Sequence, residues 1–181
     1  MSHDNNIHER DIRGGDSSLP PKHVHDSELT LAVGMNPADA NALGDVHGGH
    51  IMKLVDEAGG ICAIRHSRRP TVTVTMDSMT FLSPVRVGDL VTFRASINWI
   101  GRTSIEVGVR VEAENIMTGE VTHTNSAYLV YVALDENGRP TPVPPLVLES
   151  EAQRRRWEEG ARRQEHRLAR TRHHSPQNTQ G

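Results

Sequence analysis

The sequence has a single cysteine, Cys62, among 181 residues. One thiol excludes a disulfide within the chain, and such sparing use of cysteine is typical of proteins in a reducing compartment such as the cytoplasm. The apolar neighbours Ile61, Ala63 and Ile64 predict that this thiol is buried as a small apolar group, with a reactive thiol as the less favoured alternative.

Aromatic residues are also scarce, at 3% of the chain. The core must therefore be built from Val, Ile, Leu, Met and Ala. No apolar run approaches the roughly 20 residues that a membrane-spanning helix needs, and the N-terminus lacks the basic and apolar segments of a secretory signal. These absences predict a cytoplasmic protein without membrane association.

The chain also lacks a strong excess of positive charge, since its formal net charge is −3. Residues 149–172 contain eight Arg and five Glu, about +3, so the rest of the chain carries about −6. An acidic body with a mixed-charge tail lacks the basic surface of a nucleic-acid-binding protein. No nucleic-acid partner is expected.

Composition divides the chain into four segments. Residues 1–26 are polar, include Pro20-Pro21 and are predicted to be a disordered arm. Residues 27–147 carry the patterns of a folded domain. Residues 148–172 favour a charged helix with little apolar surface, which is expected to be solvated and to dock loosely or on a partner subunit. Residues 173–181 are predicted to be a disordered tail.

The arm is rich in histidine, but the histidines show no fixed metal-ligand spacing. They are interpreted as scattered, solvated side chains: His3, His8, His23 and His25. No metal site is predicted.

Five segments alternate as strands do, and one longer segment, Gly48–His66, has apolar residues on more than one face, as in a helix surrounded by protein. The strands are predicted at 28–33, 71–76, 90–100, 103–115 and 120–134. In the strand 90–100, one face is expected to carry Val91, Phe93, Ala95, Ile97 and Trp99. Short turns between alternating strands predict an α+β domain in which an antiparallel sheet covers one long helix. The exposed edge strand and open helix flank of such a domain favour a dimer.

The segment Asn41–Asp56 is the most informative part of the chain. A loop leads into the helix, and Asp56 lies two turns further on among apolar residues, where burying a carboxylate is costly. A catalytic role for Asp56 is one explanation for a carboxylate at this position. Later in the same helix, Gly59-Gly60 indicates either a close backbone approach or a mild kink.

Several motifs resemble those of the cytosolic acyl-CoA hydrolases, whose HotDog fold is an antiparallel sheet wrapped around one long central helix. The motifs lie between residues 29 and 147: Asn41–Gly49, Met52–Ile61, Arg65-His66, Phe81–Pro84, Glu114–Gly119 and Val143–Pro145. The resemblance implies hydrolysis of fatty acyl-CoA to free fatty acid and CoA, without a metal or an organic cofactor. It also implies a catalytic pair at Asn41 and Asp56, and a homodimer that assembles further into a trimer of dimers.

Cleavage of a thioester requires stabilisation of the charge on its oxygen, and either an activated water or direct attack on its carbonyl. The start of a helix offers unpaired N–H groups, so the N–H of Gly48 or Gly49 is the expected oxyanion donor. Asp56 is expected to be the general base for water or the nucleophile. Asn41 is expected to hold the water or the carbonyl.

Four other residues are candidates for contact with the substrate. His47 is either a general acid or a loop histidine that packs the site. Arg102, Thr103 and Ser104 are expected near the diphosphate or pantetheine of CoA, with a solvated turn as the alternative.

The spacing of Gly48 and Asp56 bears on the oligomeric state. Eight residues span roughly 12 Å of helix, at about 1.5 Å per residue. A donor and a base that act on one carbonyl should both lie within about 3 to 4 Å of it. The prediction is that Gly48 of one subunit faces Asp56 of another, so that catalysis requires the dimer.

Two other functions stay open. A HotDog hydratase or dehydratase would act on enoyl or 3-hydroxyacyl thioesters, but that chemistry typically pairs the acid with a histidine, and Asp56 has no histidine beside it. A non-catalytic acyl-CoA-binding module would bind the thioester without hydrolysing it.

Overall fold

A computed structural model describes residues 11–77 and 79–174, with side chains up to residue 170. The predictions for residues 1–10 and 175–181 lie outside this part of the chain. The described residues form two α-helices, α1 (Gly48–Ser67) and α2 (Glu151–His174). They also form eight strands: β1 (Asp11–Arg13), β2 (Lys22–His23), β3 (Leu29–Gly34), β4 (Thr71–Met76), β5 (Leu90–Ile100), β6 (Ser104–Asn115), β7 (Glu120–Ala133) and β8 (Leu146–Leu148). Neither helix, over the residues described, is long and apolar enough to cross a membrane.

The larger sheet confirms the predicted architecture. Its strands run in the order β3-β5-β6-β7-β4, and every neighbouring pair is antiparallel. Because successive side chains of a strand point to opposite faces, the odd-numbered side chains Val107, Val109 and Val111 of β6 lie together in the core. Helix α1 covers this face, with Val55, Ala58 and Cys62 fully buried against it.

Helix α1 has an apolar body because one side of it packs on the sheet. Its last residue precedes Arg68, which ends the helix in the left-handed conformation at φ 54°. The Lys22 ammonium donates to the carbonyl oxygens of Arg65 and His66, at 3.2 and 2.7 Å, and so satisfies the end of the helix. The buried His66 ring donates from Nε2 to the Pro144 carbonyl at 2.9 Å, and burial lowers the pKa of this histidine to about 4.

The predicted disordered arm is wrong for residues 11–26. β1 pairs antiparallel with β8 and β2 pairs parallel with it, so that β8 forms the centre of a second, three-stranded sheet. A 3-10 turn, Val24–Asp26, follows β2 and buries Val24 completely. No local pattern predicts this pairing, because the partner strand is short and lies more than 120 residues further along the chain.

Helix α2 is also more firmly docked than its composition predicted. It lies on the face of the sheet opposite α1, where Trp157 contacts Trp99 with 6.2 Å between ring centroids. Arg163 and Arg167 bind the fully buried carboxylate of Glu106 at 2.7 and 2.5 Å. Ionic contacts replace much of the missing apolar face, which is why a count of apolar residues predicted loose docking.

The expected shared face of β5 is wrong at Trp99. A bulge shifts the register with β6 between Ile97 and Trp99, so that Ile97 pairs with Val107 but Trp99 pairs with Glu106. The extra residue turns Trp99 toward α2. An alternating pattern continues through a bulge unchanged in the sequence, and only the pairing reveals the switch.

Candidate active site

The loop before α1 is fixed by the side chain of Asn41. Its Oδ1 accepts hydrogen bonds from the backbone N–H groups of Leu43 and Asp45, at 2.8 and 3.3 Å. Within the described part of the chain, the amide NH₂ of Asn41 has no hydrogen-bond partner. Asn41 can therefore hold the loop with its oxygen and donate to a bound carbonyl or water with its nitrogen.

The start of α1 distinguishes between the two predicted oxyanion donors. His47 is the N-cap, and its Nδ1 accepts the Gly49 N–H at 3.0 Å. The Gly49 N–H is therefore engaged, whereas the Gly48 N–H makes no hydrogen bond with any described residue. Gly48 is the better candidate donor. His47 caps the helix, and its role as a general acid stays a prediction.

Phe81 lies against the candidate donor. A Cβ placed on Gly48 would come within 3.4 Å of the Phe81 ring, which is 44% exposed. A larger residue at position 48 would therefore narrow the space between the ring and the helix tip. The aromatic face supplies an apolar wall beside a polar N–H, the combination that binding sites for small molecules favour.

The carboxylate of Asp56 is half-buried and held by two hydroxyl groups. Thr73 donates from Oγ1 to Asp56 Oδ1 at 2.7 Å. The Tyr131 hydroxyl lies 3.2 Å from the same oxygen and 3.0 Å from the backbone carbonyl oxygen of Asp56. Burial, together with the charge of Asp56, raises the pKa of Tyr131, so this phenol stays a donor.

Neither Thr73 nor Tyr131 was among the predicted site residues. Both belong to alternating strands, where a Thr and a Tyr look like ordinary sheet residues. The glycine pair was the one available signal, because a Cβ on Gly59 would lie 2.4 Å from the Tyr131 hydroxyl. The close approach predicted as one alternative is thus confirmed at Gly59. A Cβ on Gly60 would lie 3.7 Å from the Tyr131 ring, which is an ordinary contact.

The sheet edge beside Asp56 is apolar and exposed. β4 is an edge strand, and its Val72 and Val74 are 45% and 59% exposed. On the adjoining flank of α1, Met52 lies one turn before Asp56 and is 41% exposed. An edge strand with exposed valines beside an exposed helix flank is the kind of surface that a second copy of the chain would cover.

Of the predicted CoA-contacting residues, Arg102 and Thr103 lie in the turn between β5 and β6, and Ser104 is the first residue of β6. The backbone carbonyls of Arg102 and Thr103 accept hydrogen bonds from Val143 and Ala133, and that of Ser104 accepts one from Gly101. In the described chain, no hydrogen bond or ion pair joins these three side chains to the catalytic candidates. Their proposed contact with CoA thus stays a prediction.

A metal is not suggested by the surroundings of Asp56. Among the described residues, the one group of three or more His, Cys, Asp or Glu side chains placed to hold a metal does not include Asp56. Its oxygen partners are the hydroxyls of Thr73 and Tyr131. The absence of a metal and of a cofactor stays a prediction.

Comparison with known proteins places the chain among related sequences. Residues 43–120 match the Thioesterase superfamily. The protein VdlD of Helicobacter pylori is 43% identical over an alignment that covers 77% of this chain and 79% of VdlD. The cytosolic acyl coenzyme A thioester hydrolase of Rattus norvegicus is 36% identical over 82% of this chain, but this covers only 41% of the rat protein.

Solved structures match over a larger share of the fold. A hexameric acyl-CoA thioesterase in its apo form has a TM-score of 0.81 and 35% identity, over 84% of this chain and 98% of that one. An acyl-CoA hydrolase from Staphylococcus aureus, solved with butyryl coenzyme A, coenzyme A and coenzyme A disulfide, has a TM-score of 0.78 and 30% identity, over 84% and 93%. These neighbours confirm the predicted HotDog architecture.

Proposed function

The chain belongs to the Thioesterase superfamily, beside its acyl-CoA thioester hydrolases, and from this we propose that it hydrolyses fatty acyl-CoA to free fatty acid and CoA. The observation that carries the proposal is the Asp56 carboxylate, oriented by Thr73 and Tyr131 on a helix whose first N–H, that of Gly48, is available to a ligand. We also propose that the protein is cytoplasmic, because the rat relative is named as cytosolic.

Comparison with the Staphylococcus aureus hydrolase supports the choice of residues. Its structures include forms in which an Asn, an Asp and a Thr are each replaced by Ala. Those positions are separated by 15 and then 17 residues. Asn41, Asp56 and Thr73 have the same two spacings, so we assign Thr73 to the site alongside the predicted pair.

The chemistry follows from these groups. The Gly48 N–H and the Asn41 NH₂ would donate to the thioester oxygen as negative charge develops on it. Asp56 would either take a proton from the attacking water or attack the carbonyl itself and form an anhydride that water then cleaves. Either route expels the CoA thiolate. A carboxylate, two donors and water are sufficient, so we propose that no metal or organic cofactor takes part.

We propose that each site is shared between two chains. Gly48 and Asp56 are separated by roughly 12 Å of helix, which is too far for both to act on one carbonyl within a single chain. Pairing of two chains along the exposed β4 edge and the adjoining flank of α1 would bring the donor of one subunit to the carboxylate of the other. We propose a trimer of such dimers as the full assembly, since a structural neighbour is hexameric.

Purified protein, dialysed against a chelator, is expected to release thiol from saturated acyl-CoA esters of several chain lengths, with a preferred length. Release is followed by a thiol reagent, because hydrolysis frees one CoA thiol per turnover. An absorbance change with enoyl-CoA and no thiol release would instead identify a hydratase. Tight acyl-CoA binding with no turnover would identify a binding module.

Co-expressed Asn41→Asp and Asp56→Asn chains are expected to recover about a quarter of wild-type turnover, although each variant alone is inactive. Random pairing in a symmetric dimer makes about half of the dimers mixed, and one of the two sites in each mixed dimer keeps both groups. Asn41→Asp is chosen because its Oδ1 can still accept from Leu43 and Asp45. A mixture no more active than its parents would place both groups of one site in the same chain.

A further inference from the structure

Three potential metal ligands converge at the surface where β2, β8 and the start of α2 meet. Glu149 Oε1 lies 2.9 Å from His23 Nδ1, and Glu149 Oε2 lies 3.2 Å from His25 Nδ1. Ligand atoms of the three side chains all lie within 4.8 Å of one another. In the sequence the two histidines precede Glu149 by more than 120 residues, so only the fold brings them together.

Secondary structure holds the three side chains in place. His23 ends β2 and pairs with Val147 of β8, two residues before Glu149. The His23 backbone N–H donates to the Asp26 carboxylate at 2.9 Å and closes the 3-10 turn that carries His25. The Glu149 N–H donates to Gln153 at 2.6 Å, at the start of α2. The ligands are therefore attached to paired backbone rather than to a free arm.

The donor set suits a transition metal. Two imidazoles and a carboxylate favour ions such as Zn²⁺ over Ca²⁺ or Mg²⁺, which prefer oxygen alone. Tetrahedral ligands about 2.0 to 2.1 Å from zinc are separated by roughly 3.3 Å. The two spacings between a histidine nitrogen and a Glu149 oxygen, 2.9 and 3.2 Å, are close to this value, and the ligand atoms of all three side chains lie within 4.8 Å of one another. The Nδ1 atom of His23 is buried and makes no hydrogen bond with any described residue, although Glu149 is near.

A fourth side chain can support one of the ligands from behind. Asp26 Oδ1 lies 3.5 Å from Nε2 of His25, the nitrogen that faces away from Glu149. A carboxylate behind a ligating histidine fixes the orientation of the ring and makes it a stronger ligand. The His23 and His25 rings stack with their centroids 5.1 Å apart, and the Nδ1 atoms of both rings lie near the Glu149 carboxylate.

We propose that His23, His25 and Glu149 bind one Zn²⁺ per chain, with water completing a tetrahedral site. The ion would fasten residues 11–26 to the junction between β8 and α2. Its role is structural, because the three ligands share no hydrogen bond or ion pair with Asp56 in the described chain. The proposal does not rest on thioester hydrolysis, and either can fail while the other holds.

Untagged full-length protein, stripped of metal, is expected to bind one equivalent of ZnCl₂ with micromolar affinity in calorimetric titration. At about 100 times the dissociation constant, Zn²⁺ should raise Tm by about 5 °C or more, since the folded state alone presents the site. Acyl-CoA turnover, measured in parallel, should not depend on Zn²⁺.

Glu149→Gln and His25→Asn are expected to abolish both the stoichiometric binding and the rise in Tm. Glu151→Gln is the matched control, because its side chain is 91% exposed and two residues from Glu149, and it should behave as the wild type. Unchanged binding by Glu149→Gln would assign the zinc to other histidines and overturn the proposal. So would the absence of saturable binding below millimolar Zn²⁺, which would leave an ion-pair cluster.

Discussion

Replacement of Asp56 by Asn is expected to lower kcat for acyl-CoA hydrolysis by about 10³-fold, within the range of about 10²–10⁴ attributed to a positioned base. The change is nearly isosteric, and the Asn oxygen can still accept from Thr73 and Tyr131, which donate to Asp56 at 2.7 and 3.2 Å. What is lost is the negative charge that takes a proton or attacks the carbonyl. Binding of acyl-CoA and the stability of the fold should change little.

Glu57→Gln is the matched control for this measurement. Glu57 follows Asp56 in the same helix but is exposed and pairs with Lys53 at 3.1 Å. Loss of such a surface pair lowers the free energy of unfolding by less than about 1 kcal/mol, so the variant stays folded. Because Asp56 is unchanged, turnover should stay within a factor of two. Steady-state thiol release would give kcat and KM for both variants. Near-normal kcat for folded Asp56→Asn would exclude Asp56 as base or nucleophile.

Replacement of Glu106 by Ala is expected to lower the free energy of unfolding by about 3 to 5 kcal/mol, the typical result of removing one partner of a buried ion pair. The Glu106 side chain is fully buried under α2 and binds two guanidinium groups, those of Arg163 and Arg167. Arg167 is itself 9% exposed and also pairs with Asp77 at 2.6 Å. We expect α2 to loosen from the sheet before the rest of the domain unfolds.

The same strand provides the comparison for Glu106. Glu112 also binds two arginines, Arg94 at 3.2 Å and Arg110 at 2.9 Å, but both arginines are more than half exposed. Glu112→Ala should therefore cost less than about 1 kcal/mol. Denaturant unfolding at one fixed protein concentration would compare the two variants. Equal losses of unfolding free energy would mean that Glu106, with Arg163 and Arg167, contributes no more to stability than a surface ion pair does.

Two members of the proposed site, Asn41 and Asp56, could be proposed from the sequence alone. Asp56 is conspicuous as an acid on an apolar helix, and Asn41 lies in the loop whose motif carries the family resemblance. Thr73 and Tyr131, which orient the Asp56 carboxylate, could not be found in this way. They are 17 and 75 residues from it, and their types are ordinary for strands.

Local sequence patterns predicted the order of the main strands along the chain, the span of α1 and the sheet-on-helix arrangement. These follow from the repeat of apolar residues, about two residues in strands and 3.6 in helices, which any local window contains. The folded arrangement settles three features that those patterns do not show: β1 and β2 pair with β8, a bulge turns Trp99 outward, and His23 and His25 meet Glu149. It also decided that Glu106 is buried with Arg163 and Arg167 while Glu112 stays near the surface. Such outcomes depend on which distant segments pair and in what register, and a side chain's own neighbours in the sequence carry no record of that.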